Sequence, residues 1–312
     1  MRATLHQLKV FQKVAILMNF TAASKALCLT QPAVSIQIKQ LEENLGLPLF
    51  EKIGKKLFLT PAGLELSQFC ADIFNRFDNM DMLLSTMKGG LEGKFRLAAV
   101  TSAKYFTPHL LGAFNKIYPN VELHLEVMNR SQIIQGISNN QYDLAIMGLL
   151  PESIPLASHP FIDNPISIIA SSSHPLAQQK NIPVKQLINQ NFIFRENGSG
   201  TRKALEDELK LQGIKLSPSM VLGSSETIKH AVMAGLGISA LSRHSITLEL
   251  ATNRLIELDV QGFPLVRSWY MVHHESKKIS PIAQTFIDFI LSQQEHIENL
   301  CDSFTKKELA KN

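Results

Sequence analysis

The apolar positions of this chain change period twice, and the changes divide it. Through residues 1–60 they recur at helical spacing. Leu5, Leu8, Val10, Phe11, Val14 and Ala15 line one face of a first helix, and Ala33, Val34, Ile38, Leu41 and Leu45 line the inner face of a third. Between them Thr21 is suited to cap a short helix over Ala22 to Leu27. Thr30 or Gln31 opens the third helix and Gly46 ends it. Pro32 falls in its first turn, where a missing N–H costs nothing. Leu49 to Leu59 then reads as a short hairpin turning at Gly54. Two short helices with a tight break, followed by a hairpin, predict a winged helix-turn-helix over residues 1–60.

From Pro61 the pattern becomes a heptad seam of Leu66, Cys70, Ile73, Phe77, Met80, Leu84 and Met87. It predicts a linker helix over 61–90 that pairs two subunits and stops at Gly89-Gly90. A helix packed on its own domain produces the same pattern over three heptads. After Gly93 the chain alternates between two kinds of segment. Strand-like runs lie at Phe95 to Val100, Val121 to Val127, Leu144 to Met147, Ile166 to Ala170, Phe192 to Phe194, Ile238 to Leu241 and Trp269 to Val272. Helical ones lie at Pro108 to Tyr118, Ile133 to Asn139, Thr201 to Gln212, Thr227 to Ala234 and Pro281 to Gln294. Such alternation predicts an α/β domain over 94–301, with a polar, frayed tail over 302–312.

Composition narrows the class. With 312 residues and 45% hydrophobic content there is material for two or three cores. No apolar run has the length of a membrane span, and the first residues lack the apolar core of a signal peptide. Cys28, Cys70 and Cys301 are too few and too far apart for a disulfide framework, which fits a reducing cytoplasm. The net charge is only +4, yet residues 1–60 carry eight basic side chains against Glu42, Glu43 and Glu51. A basic small domain on a near-neutral body points to a polyanion at one end, double-stranded DNA above all.

The chain resembles the LysR-type transcriptional regulators over nearly its whole length. The resemblance rests on Phe20-Thr21-Ala22-Ala23-Ser24, Leu29-Thr30-Gln31-Pro32-Ala33-Val34-Ser35, Ile38-Lys39-Gln40-Leu41-Glu42, Leu49-Phe50-Glu51 and Leu59-Thr60-Pro61-Ala62-Gly63. It implies promoter binding, assembly as homodimers or homotetramers, and contact with RNA polymerase. It also implies an effector domain of two α/β lobes, like a periplasmic binding protein: about 94–164 with 268–301, and about 165–267. One departure is Lys52 and Lys55, where the family favours arginine. Lysine keeps the attraction to phosphate and loses the bidentate fork. Ala103 to Leu111, Arg195 to Arg202 and Ser225 to Ile238 further resemble the regulators of the RuBisCO operon, which implies a phosphorylated metabolite as effector. Sulfur-assimilation regulators share parts of these stretches, so a non-phosphorylated anion such as sulfate or a carboxylate stands beside that reading.

Candidate residues follow. Gln31, Ser35, Gln37 and Lys39 lie largely outward on the third helix, where an amide can pair bidentately with adenine. Pro32 and Ala33 allow close approach, and Thr21, Ser24, Lys52, Lys55 and Lys56 would hold phosphates. Lys25 reads as a solvated side chain. In the effector domain Thr101-Ser102 follows one strand and precedes a helix, offering hydroxyls and N–H groups to an anion. Gly198-Ser199-Gly200-Thr201-Arg202 does the same after another strand, with Glu196 at its head. Arg130 follows the second strand, Gly148 leaves a cleft clear, and Glu226-Thr227 would cap a helix facing it. His273-His274 on a strand point to opposite faces, a poor metal geometry. Gly235-Leu236-Gly237 is no dinucleotide fingerprint. With no nucleophile elbow, Walker motif or zinc spacing, neither enzymatic activity nor a cofactor is expected. A bilobal small-molecule binder without DNA function remains the competing class, and it leaves the basic domain without a purpose.

Overall fold

The computed structural model describes residues 3–87 and 90–293. Gly89, Gln294, Cys301 and the tail from 302 lie outside the described residues. Two compact units meet at Asp81/Met82.

The first unit holds α1 (Leu5–Leu17), α2 (Phe20–Ala26), α3 (Gln31–Leu45), the hairpin β1 (Phe50–Ile53) and β2 (Lys56–Leu59), and most of α4 (Pro61–Met87). Asn19, rather than Thr21, caps α2: its Oδ1 accepts the Ala22 N–H at 2.9 Å. Met18 turns left-handed at the end of α1 and leaves Asn19 extended, so the cap forms two residues early. Thr30 caps α3 and Gly46 closes it at φ 72°. Val10, Phe11, Val14, Ala23, Val34, Leu41 and Cys70 are fully buried together. Glu42 ties α3 to the wing by accepting the N–H groups of Leu49 and Phe50 at 2.7 and 3.3 Å. The Thr-Pro-Ala-Gly motif has a packing reason: Gly63 lies so close to the Leu49 carbonyl that a Cβ would collide with it.

The heptad seam of α4 serves two different surfaces. Leu66, Cys70 and Ile73 pack into the first unit's own core. Phe77, Met80, Leu84 and Met87 are exposed at 41, 48, 50 and 84%. The first half of the seam thus packs on its own domain, the second half is uncovered in the single chain, and the unit boundary falls within the helix rather than at Pro61.

The second unit comprises β3 (Gly93–Val100), α5 (Thr107–Ile117), β4 (Val121–Met128), α6 (Arg130–Ser138), β5 (Leu144–Met147), β6 (Leu156–Ser171), β7 (Phe192–Arg195), α7 (Gly200–Leu211), β8 (Pro218–Leu222), α8 (Ser225–Met233), β9 (Ile238–Ser242), α9 (Thr247–Ala251), β10 (Leu255–Glu257), β11 (Leu265–His274) and α10 (Pro281–Ser292). The sheet order is β4-β3-β5-β11-β6-β9-β7-β8, with β10 also on β6. β3 runs parallel to β4 and β5, β7 runs parallel to β8 and β9, and the long antiparallel pair β6–β11 joins the two halves. One core, from Phe95 to Ile162 and Trp269 to Ile290, fills one lobe. Two others, built on Ile166, Ile168, Phe192, Ile238 and Leu265 and on Ile169, Ile228 and Leu241, fill the second. The lobes exchange at Asn164–Ile166 on β6 and at Val266–Ser268 on β11.

Candidate functional site

Two surfaces carry the candidate residues. On the first unit, Gln31 is exposed at the start of α3, and its Nε2 donates to Ser35 Oγ at 3.0 Å. Pro32 is exposed, and Ala33 and Gln37 are half-buried. Lys39 is exposed and faces Glu43 at 3.8 Å, a surface pair weak enough to yield to a phosphate. Thr21, Lys52, Lys55 and Lys56 are exposed, the last three on the hairpin. Ser24 is a correction. It is 4% exposed and its hydroxyl donates to the Thr21 carbonyl at 2.9 Å, so it bonds back onto its own helix instead of reaching a backbone phosphate. Ile36, absent from the sequence candidates, is 54% exposed on α3. An isoleucine outside the inward stripe of a DNA-facing helix is the signal, since an apolar group can meet a thymine methyl.

In the second unit a pocket opens between the lobes, about 400 Å³ including its mouth. Its walls come from the carboxyl ends of strands and the starts of helices, where open α/β sheets bind ligands. Val100, Thr101 and Ser102 continue β3, Asn129 and Arg130 open α6, and Gly148 and Leu149 follow β5. Across from them Arg195 ends β7, and Ser199, Gly200 and Thr201 open α7. Asn164 and Trp269 form part of the wall from the exchanging strands. Gly148 is required here: a Cβ would collide with Asn164 Nδ2 and approach the Trp269 ring to 3.3 Å.

Seven sequence candidates thus converge: Thr101, Ser102, Arg130, Gly148, Ser199, Gly200 and Thr201. The other five do not line the pocket. Arg202 Nε donates to Glu206 at 2.7 Å, and its guanidinium packs 5.4 Å from the Phe194 ring. Its Nη1 also donates to the Arg195 carbonyl at 3.1 Å, so the guanidinium is occupied away from the pocket. Glu196 is clamped to its neighbour Arg195, Gly198 packs against Ser131, and Thr227 is exposed. Glu226 does not cap α8. Ser224 does, and the Glu226 carboxylate accepts the Tyr105 hydroxyl at 2.6 Å.

The pocket has a cationic floor and no carboxylate among its lining residues. Ser199 caps α7, which leaves the first-turn N–H groups of Gly200 and Thr201 without intrahelical acceptors. Such a helix start attracts anions. Arg130 Nε donates to the Leu149 carbonyl at 2.8 Å, and no carboxylate pairs with its guanidinium among the described residues. Burial pushes Arg130 below its ordinary pKa, while Asp207 pulls it back. A guanidinium stays charged at neutral pH, so this half-buried cation favours an incoming anion.

Sequence reasoning passed over Arg195, the most tightly held cation of the pocket. It is 2% exposed. Nε and Nη2 donate to the two Glu196 oxygens at 2.8 and 2.9 Å, Nη2 to Thr101 Oγ1 at 2.8 Å, and Nη1 to Ser225 Oγ at 3.0 Å. Read in sequence, Arg195-Glu196 is an ordinary ion pair at a strand end. The available signal was position: a basic residue closing an apolar strand just before Gly-Ser-Gly-Thr.

Comparison with known proteins identifies the two parts of the chain. The family described as bacterial regulatory helix-turn-helix protein, lysR family, matches residues 5–64, and the LysR substrate binding domain matches residues 88–295. The transcriptional activator CmpR of Synechocystis sp. is 41% identical, over 95% of this chain and 97% of its own. A RuBisCO operon transcriptional regulator of Acidithiobacillus ferrooxidans is 42% identical, over 95% and 96%. The solved regulatory domain of CcmR from Synechocystis PCC6803, in complex with 2-PG, is 42% identical with a TM-score of 0.63. That alignment covers 65% of this chain and 97% of the CcmR domain.

Proposed function

Since the chain belongs to the LysR family of bacterial transcriptional regulators, we propose that it controls carbon-fixation genes, the RuBisCO operon among them, through a small phosphorylated metabolite bound at the head of α7. The observation that carries this reading is the pocket's charge: Arg130 without a carboxylate partner, a helix start, and the hydroxyls of Thr101, Ser102, Ser199 and Thr201 on one surface free of acidic side chains. A phosphoryl group, with three acceptor oxygens and up to two charges, uses more of these donors than a carboxylate does. The names of the similar regulators and the 2-PG held by the CcmR domain support the same assignment. The regulator acts in the cytoplasm, without enzymatic activity of its own, and meets RNA polymerase at the promoter.

Trp269, the single tryptophan of the chain, lies in the pocket wall and reports on binding through its fluorescence. Titration with 2-phosphoglycolate is expected to change that emission and saturate, with sulfate and glycolate weaker by at least about tenfold, the loss of one or two charge-assisted hydrogen bonds. Equal affinity for sulfate would move the reading to a non-phosphorylated anion.

On the DNA side, Gln31 and Ser35 read bases and the wing lysines hold phosphates. Gln31→Ala/Ser35→Ala is expected to lose about tenfold or more in operator affinity while keeping non-specific binding. Replacing Lys52, Lys55 and Lys56 by alanine weakens all duplexes alike and lowers the salt slope by about one per lost phosphate contact. Mobility-shift titrations over a range of salt separate the two. Operator preference intact in the double variant would remove Gln31 and Ser35 from base readout.

A further inference from the structure

Beside the pocket, the two lobes touch through a second cluster that no ligand contact requires. Tyr105, on the turn after β3 in one lobe, donates its hydroxyl to Glu226 Oε1 on α8 of the other at 2.6 Å. Glu226 is not a free surface acid. Lys229, one turn along α8 and 4% exposed, sits 3.0 Å from Glu226 and 2.9 Å from Glu249 on α9. Its ammonium also lies 4.9 Å from the centre of the Tyr105 ring, and Lys104 lies 5.0 Å from the same ring and 3.8 Å from Glu226. Burial and the facing carboxylates push the Tyr105 hydroxyl far above its ordinary pKa, so it remains a donor at every working pH. Burial raises the Glu226 carboxyl, but hydrogen bonds from Tyr105 and Lys229 outweigh it, so Glu226 stays ionised.

The division of these groups between lobes decides what they do. Glu226, Lys229 and Glu249 belong to one lobe and pair with one another there, so this receiving half persists whether or not the other lobe is near. The other lobe contributes only Tyr105 and Lys104. We infer that Tyr105 and its Glu226–Lys229 seat form a latch that holds the lobes closed and sets effector affinity without touching the effector. Opening it breaks one charge-assisted hydrogen bond, one loose ion pair and the one ring–cation contact that crosses, Lys229 on Tyr105, and leaves no buried charge stranded. A device of that strength can be overturned by a ligand that prefers one arrangement. A second tether, Arg195 to Thr101 at 2.8 Å, crosses the same cleft beside the pocket and should loosen with it.

The proposal rests on the pocket being the effector site, and its test has an arm that does not. Hydrogen exchange of the full chain without ligand compares wild type with Tyr105→Phe, Glu226→Gln and the double variant. Phenylalanine keeps the ring between the lysines and removes only the hydroxyl. The expected result is faster exchange both at 101–106 and across the cleft at 195–200, alike in both single variants and no greater in the double. Faster exchange confined to 103–107, or additive effects in the double variant, would show mere local packing and overturn the latch. In the second arm each single variant binds 2-phosphoglycolate about tenfold more weakly, and the double variant no more weakly than either. Unchanged affinity in a wild type that does bind would also overturn it. A wild type that fails to bind 2-phosphoglycolate counts against the function proposed above, and the exchange arm still decides the latch.

Discussion

An Arg195→Met variant loses phosphorylated-effector binding by about a hundredfold or more, and its effector domain unfolds more easily by about 2–4 kcal/mol. The side chain makes four hydrogen bonds from an almost fully buried position, two of them to Glu196 in the fork geometry only a guanidinium offers. Methionine fills the volume and leaves Glu196, Thr101 and Ser225 to find water. The lower part of the range reflects Glu196, which is 22% exposed and regains some solvation. Arg195→Lys keeps the charge, but one ammonium cannot span both Glu196 oxygens, Thr101 and Ser225 at once. It should fall between methionine and wild type in both measurements. Urea unfolding followed by Trp269 fluorescence reports this domain, because the first unit contains no tryptophan. Wild-type stability and affinity in the methionine variant would mean that Arg195 contributes nothing to the site.

Phe77→Glu/Leu84→Glu is expected to turn the protein into monomers and to weaken operator binding by at least about a hundredfold. Phe77, Met80, Leu84 and Met87 leave 41–84% of their surfaces uncovered along the second half of α4. Full burial of such a side chain is worth about 1.5–3 kcal/mol, and covering the part still exposed here about half of that for Phe77, Met80 and Leu84. Members of this family form oligomers. Two subunits held together present two recognition helices to two half-sites, so the second contact is made at high effective concentration. Separated subunits lose that advantage even if each α3 is unchanged. Analytical ultracentrifugation and operator titration measure the two effects. A variant that sediments as the wild-type oligomer would place the interface elsewhere.

Much of the first unit was legible because its local signals agree. Thr30, Pro32 and Gly46 mark α3 by cap, first turn and stop, and Gly54 marks the wing. The α2 cap was misplaced because Thr21 and Asn19 are comparable caps, and only the left-handed turn at Met18 selects Asn19. The seam of α4 was visible, but periodicity does not tell which neighbour a helix faces, and here only its first half packs on the first unit. In the effector domain β8 and β10 escaped notice. β8 is an exposed edge strand beginning Pro218-Ser219, with no alternation to read, and β10 spans three residues. The first half of β6 was hidden by Pro160 and Pro165. The pocket was half legible. Strand-end and helix-start positions pointed to Thr101, Ser102, Ser199 and Thr201, because backbone geometry fixes them. Arg202 and Glu226 went astray because sequence does not tell which way a long charged side chain turns. Arg195 was overlooked for the same reason in reverse.

The paired strands β6 and β11 run through both lobes, joined by a continuous antiparallel ladder from Leu156 to Ile166 with one irregularity at Trp269/Tyr270. Sliding one lobe past the other would break several of these bonds together, whereas twisting the ribbon deforms each only slightly. Such a ribbon resists sliding more than twisting, and the one break in its register falls at Trp269. Motion between the two lobes is therefore expected as rotation about this one axle rather than as sliding.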